Sequence, residues 1–467
     1  MSFKTFMNEK CTEKGEQKSN LTWSQRKGLK SLKKRTEEGE IIIMMTDKSG
    51  KFAVADVESY LEMGRVHTVK DREVGQDVVE RTQRLFNGHT AMWLKFLNIG
   101  ADWEHEARMR ESCLQETCSV PPMYLLDKDH KERKEGALPA TRPVVSGCGG
   151  MSLSMSNILS DVIEALADAR KDPLEVISTE DLKSRIVSHN QEADRVDTDI
   201  KTVLIGCDAV ALFPSLPAAE SGRIVREAAI KIVEQSGLSI WGVDYRELAK
   251  YVRMNMSDFE IRARKLSRIV PVRRSKKGKM PGMTGKEATK RKEKEPEQES
   301  VEEKKYEEEE KPSKEESFIH PEREATKEEE ILLFATALEI AVKFLFSNNL
   351  YQFGGRTYLQ SDGGPIGLRA TMCIARLIMG EWGERMREIL TESGLKIYLD
   401  GSYVDDIRFV VSVLPPGWRW EEKRKKFEFK KEWEEEDISL KESDTVRMAK
   451  ETNKAMNSIY PFLKFTV

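Results

Sequence analysis

The chain has 467 residues, enough for two or three domains, and 39% of them are hydrophobic and 34% charged. A net charge of −3 excludes binding of nucleic acid through a general basic excess, so any such function has to rest on where the charges sit. No apolar run approaches the roughly 20 residues of a membrane span, and the polar start, with Lys4, Glu9, Lys10 and Glu13, is not a signal peptide. Residues 1–20 read as disordered, and 21–38 (WSQRKGLKSLKKR within it) as a basic, solvated helix. Asp47-Lys48-Ser49-Gly50 is a turn between two apolar runs, which predicts a hairpin over 41–55. Residues 56–118 read as mostly helical, with Trp93, Leu94, Phe96 and Leu97 as core, and 122–147 as two strands around a polar turn near 129–136. Met151, Leu153, Ile158, Leu159, Val162, Ile163 and Leu166 recur at helical spacing.

Lys201 to Cys207 (KTVLIGC) suits a buried strand, directly followed by Asp208, and 219–256 suggest two helices beside it. The composition then changes. Arg273, Arg274, Lys276, Lys277 and Lys279 precede a Glu/Lys-dominated stretch too poor in apolar residues to offset its ordering entropy, so 275–326 are expected to be disordered or loosely helical. RRSKKGK and KRKEKE there read either as nuclear-import or nucleic-acid patches or as a solvated low-complexity loop. Gln360-Ser361-Asp362-Gly363-Gly364-Pro365-Ile366-Gly367 is a Gly-rich turn opening an apolar-periodic segment from Leu368 to about Leu390. Ser402 to Val404 and Ile407 to Val411 read as a hairpin with Asp405 and Asp406 at its tip. Residues 418–445 (WEEKRKKFEFKKEWEEE within it) read as a second charged insertion, helical.

The acids carry the chemistry. Like charges about 4 Å apart repel by roughly 4 kcal/mol at an effective dielectric of 20. A fold that gathers them therefore favours a hard cation such as Mg²⁺. An acid ending one strand and an acid pair on a hairpin can converge on two metal ions, which clamp the attacking and leaving oxygens of a phosphoryl displacement. The plain alternatives are a solvated turn for Asp405-Asp406 and a cap or turn acid for Asp208. The six cysteines form no CxxC pair, so no zinc site is expected, and scattered thiols suit a reducing, intracellular compartment.

In order, the Asp208 strand, the Gly-rich turn and Tyr403-Val404-Asp405-Asp406 resemble motifs A, B and C of a reverse transcriptase palm. Asn20 to Tyr60 resembles the N-terminal fingers of Penelope-like retroelement reverse transcriptases. Pro122 to Lys131 is similar to that family's Lys-x-His-Lys segment, Arg142-Pro143-Val144-Val145-Ser146 to its Arg-Pro-Ile-Val-Ser segment, and Asn457 to Val467 to its motif D, which runs into a Phe-Thr strand. The likeness covers most of 20–265 and 328–467. It implies an α+β fold: a right-hand palm and fingers with an antiparallel sheet and packed helices. The expected divisions are a disordered 1–20, fingers and the first part of the palm over 21–195, palm with motif A over 196–266, a charged insertion over 267–327, and palm with motifs B, C and D over 328–467. The chain stops at Val467, before the thumb and the GIY-YIG nuclease that many family members carry.

The resemblance further implies RNA-directed DNA synthesis on an RNA or DNA template with a primer and dNTPs, in the nucleus, with two Mg²⁺ ions (or Mn²⁺) held by Asp208, Asp405 and Asp406. Asp405 is then the direct ligand and Asp406 its support. Phe213, five residues after Asp208, matches the Tyr or Phe whose ring excludes a ribose hydroxyl; its plain alternative is a core Phe. Arg142, Lys48, Lys128 and Lys131 would meet the triphosphate, and Gln360, Gly364 and Gly367 would line the template–primer side. A salt bridge is the alternative for Arg142, and solvated surface for the lysines. The rival function is a non-catalytic remnant that binds nucleic acid or partner proteins. A telomerase-like polymerase ranks last, because no telomerase RNA-binding domain is visible.

Overall fold

The computed structural model describes residues 21–98, 120–133, 135–170, 175–176, 178–193, 201–237, 242–254, 326–440 and 443–467. The expected disordered start (1–20) and nearly all of the charged insertion (267–327) lie outside the described residues. The fold is α+β, built from small antiparallel sheets and packed helices. No helix among the described residues is long and apolar enough to cross a membrane.

The first helix, α1 (Trp23–Glu37), begins at a capping box in which Thr22 and Gln25 satisfy each other's backbone N–H, and it buries no residue. The hairpin β1 (Ile41–Met45) and β2 (Phe52–Asp56) forms as its turn residues require. Asp56 caps α2 (Val57–Thr68) through the Ser59 N–H, and the chain continues through β3 (Arg72–Glu73) into α3 (Gln76–Phe96), where Trp93 and Phe96 are fully buried as expected. Strands β4 (Met123–Asp127) and β5 (Thr141–Val145) pair across the predicted polar turn. The apolar-periodic segment is α4 (Leu153–Arg170), followed by α5 (Thr179–Ala193).

Strand β6 (Thr202–Ala209) runs two residues beyond the apolar run, so Asp208 lies inside the strand and not after it. A 3₁₀ turn (Phe213–Ser215) then leads into α6 (Ala218–Ser236) and α7 (Tyr245–Arg253). Further on come α8 (Lys327–Ser347), the hairpin β7 (Leu350–Phe353) and β8 (Arg356–Leu359), α9 (Arg369–Glu392), and the hairpin β9 (Ile397–Tyr403) and β10 (Asp406–Ser412).

The segment read as a charged helix is corrected here. Residues 418–429 form a hairpin, β11 (Trp418–Glu421) and β12 (Lys426–Phe429), and helix starts only at α10 (Lys431–Leu440). The reason is burial. Trp420 and Phe427 pair across this hairpin, stack edge-to-face at 5.4 Å and enter the main core, which outweighs the helix propensity of the intervening Lys and Glu. The chain ends in α11 (Asp444–Ile459) and the expected Phe-Thr strand, β13 (Phe465–Thr466).

The central sheet is fully antiparallel, in the order β13-β6-β10-β9. Alternation assigns its two faces. Val203, Ile205, Cys207 and Ala209 of β6, with Ile407, Phe409 and Val411 of β10, are buried in one core with apolar residues of α4, α6, α9 and α11. Burying a side chain such as Phe409 is worth about 1.5–3 kcal/mol. The intervening residues, Asp208 and Asp406 among them, therefore stand on the uncovered face.

Candidate active site

Register brings the acids together. In the β6–β10 ladder Asp208 lies directly opposite Asp406, although nearly half the chain separates them. The same row continues on either side, Thr466 beside Asp208 and Tyr403 beside Asp406. Directly opposed residues in an antiparallel pair have Cβ atoms about 4.5–5.5 Å apart. Asp405 occupies the two-residue turn between β9 and β10, and its carbonyl accepts the Ala209 N–H at 3.2 Å, which docks the turn on the end of β6. Asp406 is thus the first residue of a strand, and only Asp405 is at the tip.

The turn is strained. Val404 has φ +57°, a left-handed conformation that a β-branched residue rarely adopts. Such a residue costs about 1–3 kcal/mol and persists where its surroundings over-determine it. Here the Val404 side chain packs on the main core and the neighbouring carbonyl is held by Ala209.

The electrostatics are those of an under-neutralised acid group. The Asp208 carboxyl titrates above its ordinary value, through loss of solvent first and then repulsion from Asp405 and Asp406; Lys48 and Arg408 pull the other way. Arg408 stands two residues along β10 on the same face and pairs with Asp406 at 3.3 Å. Arg408 and Thr466 join the site beyond the residues that the sequence motifs mark. Two-residue alternation identifies the first, and only strand pairing reveals the second.

The donor set suits a hard divalent cation such as Mg²⁺, which binds carboxylate oxygens at about 2.0–2.1 Å. Among the described residues no three Asp, Glu, His or Cys side chains are close enough to enclose an ion. The three acids share an end of the sheet, Asp208 and Asp406 in register and Asp405 in the adjoining turn, and the side chains would have to turn inward to close a cage.

The Gly-rich turn is held against the segment that follows β6. The Gly364 N–H donates to the Phe213 carbonyl at 2.8 Å, and the Ile366 carbonyl accepts the Val145 N–H at 2.9 Å. Gly363 (φ +86°) and Gly367 (φ +113°) are backbone positions that only glycine fits. A Cβ would lie 2.3 Å from the Pro214 carbonyl oxygen at the first and 2.0 Å from the Val145 carbonyl oxygen at the second. The loop is thus clamped between the 3₁₀ turn and β5. Phe213 is half-buried against the core, so its ring is neither a full core residue nor free in solvent. The Gln360 amide is engaged within the loop, donating to the Asp362 and Gly363 carbonyls and accepting from Asn349 at 2.8 Å.

The four cations separate. Lys48, exposed at the β1–β2 turn, acts on Asp208. Arg142 does form a salt bridge, at 3.1 Å to the buried Asp47 next to Lys48, while keeping 47% of its side chain exposed. Lys128 instead sits by His67, where burial and then the Lys128 charge hold the imidazole below its usual range. Lys131 is exposed on the β4–β5 connection. No protein-family model matches the chain, and no curated protein does.

Proposed function

We propose that the protein is an RNA-directed DNA polymerase of the Penelope-like retroelement type. In this reading the four-stranded sheet with α4, α6, α9 and α11 is a right-hand palm, and the elements from β1 to β5 are fingers. The observation that carries it is the facing of Asp208 and Asp406 across β6 and β10, with Asp405 docked beside them and, among the described residues, Lys48 and Arg408 opposing the three charges at Asp208.

Asp208, Asp405 and Asp406 would hold Mg²⁺ or Mn²⁺, which when bound supplies charge stabilisation for the attacking primer hydroxyl and the leaving pyrophosphate. The chain's own residues do the rest. Lys48 places a cation beside the acids, where a triphosphate would lie. Arg142 fixes the Asp47-Lys48 turn through Asp47 and retains guanidinium donors for phosphate oxygens. Phe213, held by Gly364 below the Gly-rich loop, presents a ring to the incoming sugar. A nuclear site of action fits the RRSKKGK and KRKEKE runs, both outside the described residues.

A second reading, a non-catalytic nucleic-acid-binding remnant, is favoured by the open arrangement of the acids. Primer extension by the full chain on a primed RNA template separates the two. Incorporation of dNTPs is expected with Mg²⁺, absent in Asp208→Ala, and Phe213→Ala should raise rNTP use relative to dNTP on the same preparation. Folded chain that binds primer–template but extends nothing with Mg²⁺ or Mn²⁺ would establish the remnant.

A further inference from the structure

We infer that Asp71 is a positioning residue that sets nucleotide-sugar selection through the Gly-rich loop; this rests on the polymerase reading. Asp71 lies in the short connection between α2 and β3, and nothing in its local sequence marks it. Its carboxylate joins two elements distant from it in the chain. One oxygen accepts the Tyr351 hydroxyl of β7 at 2.5 Å. The other accepts both the Ser361 N–H at 2.9 Å and the Ser361 hydroxyl at 3.0 Å. The Ser361 hydroxyl also lies 2.6 Å from the Lys70 carbonyl. Hydrogen bonds to an ionised acceptor are roughly twice as strong as neutral ones. Tyr351 is buried, and burial together with Asp71 drives its phenol far above the ordinary range, so it stays a donor at any working pH.

Ser361 is the first residue after Gln360, which is itself tied to the buried Asn349 by a backbone bond at 3.0 Å and a side-chain bond at 2.8 Å. The entrance of the loop is thus fixed twice, at Asn349 and at Asp71. Two and three residues further on, Gly363 presses on Pro214 and the Gly364 N–H holds the Phe213 carbonyl. A shift at Ser361 therefore reaches Phe213 through a short, stiff segment. Misplacing a reacting group by about 1 Å can cost on the order of 10²-fold in rate.

The test pairs a readout that needs no catalysis with one that does. Hydrogen exchange of 361–367 is compared in the wild-type chain, Asp71→Ala, Tyr351→Phe and the milder Ser361→Ala. Faster exchange at Gly364 is expected, in the order Asp71→Ala, then the two single-bond variants. Nucleotide selection is then read as the ratio of kcat/KM for dNTP and rNTP. Asp71→Ala should narrow that ratio by about tenfold, mainly through a lower KM for rNTP. Unchanged exchange at Gly364 in folded Asp71→Ala and Ser361→Ala overturns the inference. So does faster exchange with an unaltered ratio and KM. A wild-type chain that extends no primer overturns the polymerase reading instead, and exchange still decides whether Asp71 holds the loop.

Discussion

Two groups of acids in this molecule have opposite fates. Asp437 on α10 is buried, and burial alone would raise its carboxyl, yet the Gly417 N–H at 2.9 Å and Arg419 at 2.8 Å hold it below its ordinary value. Arg447 is buried beside it. Nearby, buried Glu451 accepts the Trp420 N–H at 2.8 Å and Lys454 at 2.6 Å, anchoring the hairpin that carries Trp420. Asp208 titrates above its ordinary value, through loss of solvent first and then repulsion from Asp405 and Asp406, which Lys48 and Arg408 do not cancel. The difference lies in the neighbours. Where the fold needs an acid, it surrounds the carboxylate with donors; on the open sheet face it gathers acids and leaves them short of charge. Stability given up at one place in a protein is a common mark of function.

The sharpest way to break this contrast is Asp208→Asn. On the proposed polymerase reading, losing a carboxylate that would hold the metal ions should remove several kcal/mol of transition-state stabilisation, a fall in primer extension on the order of 10³-fold or more. The same substitution removes repulsion, so the thermal midpoint should hold or rise slightly. A variant that loses stability would show that Asp208 is paired in solution, like Asp437.

Asp437→Asn should do the reverse. It takes one carboxylate from Arg419 and buried Arg447, which keep Glu436 at 2.9 Å and Asp444 at 3.1 Å; breaking a buried pair outright costs about 3–5 kcal/mol, so a loss at or below the lower end of that range is expected. Denaturant unfolding measures it. A loss below about 0.5 kcal/mol, the range of ordinary surface substitutions, would make this acid no more structural than the others.

The smallest effect is in the pH dependence. A carboxyl raised on folding binds its proton more tightly in the folded state, so its ionisation penalises the fold above its raised value and the penalty is gone below 3.8, the ordinary value. The stability advantage of Asp208→Asn over wild type should therefore be largest near neutral pH and close as pH falls toward 3.8. Asp437 has the opposite sign. Its support is complete above 3.8 and fades only as pH falls through its lowered value. An Asp208→Asn advantage that grows on acidification would contradict the repulsion.

Much of this molecule is written locally. The turn at Asp47 to Gly50, the apolar run before Asp208, the Gly-rich turn before a long helix and the hairpin around Asp405 each show in side-chain period and turn chemistry, because those forces act over a few residues. Residues 418–429 failed on the same ground. Trp418, Trp420, Phe427 and Phe429 alternate, but eight charged residues among them read as a solvated helix until a distant core claims Trp420 and Phe427. The register of β6 against β10, which sets Asp208 opposite Asp406, leaves no local trace, since it is fixed by Ile205, Cys207, Ile407 and Phe409 all seeking one core. Lys48 beside Asp208 and Asp71 beneath Ser361 likewise exist only once the chain has closed, because a charge acts on whatever folding brings near it, irrespective of distance along the sequence.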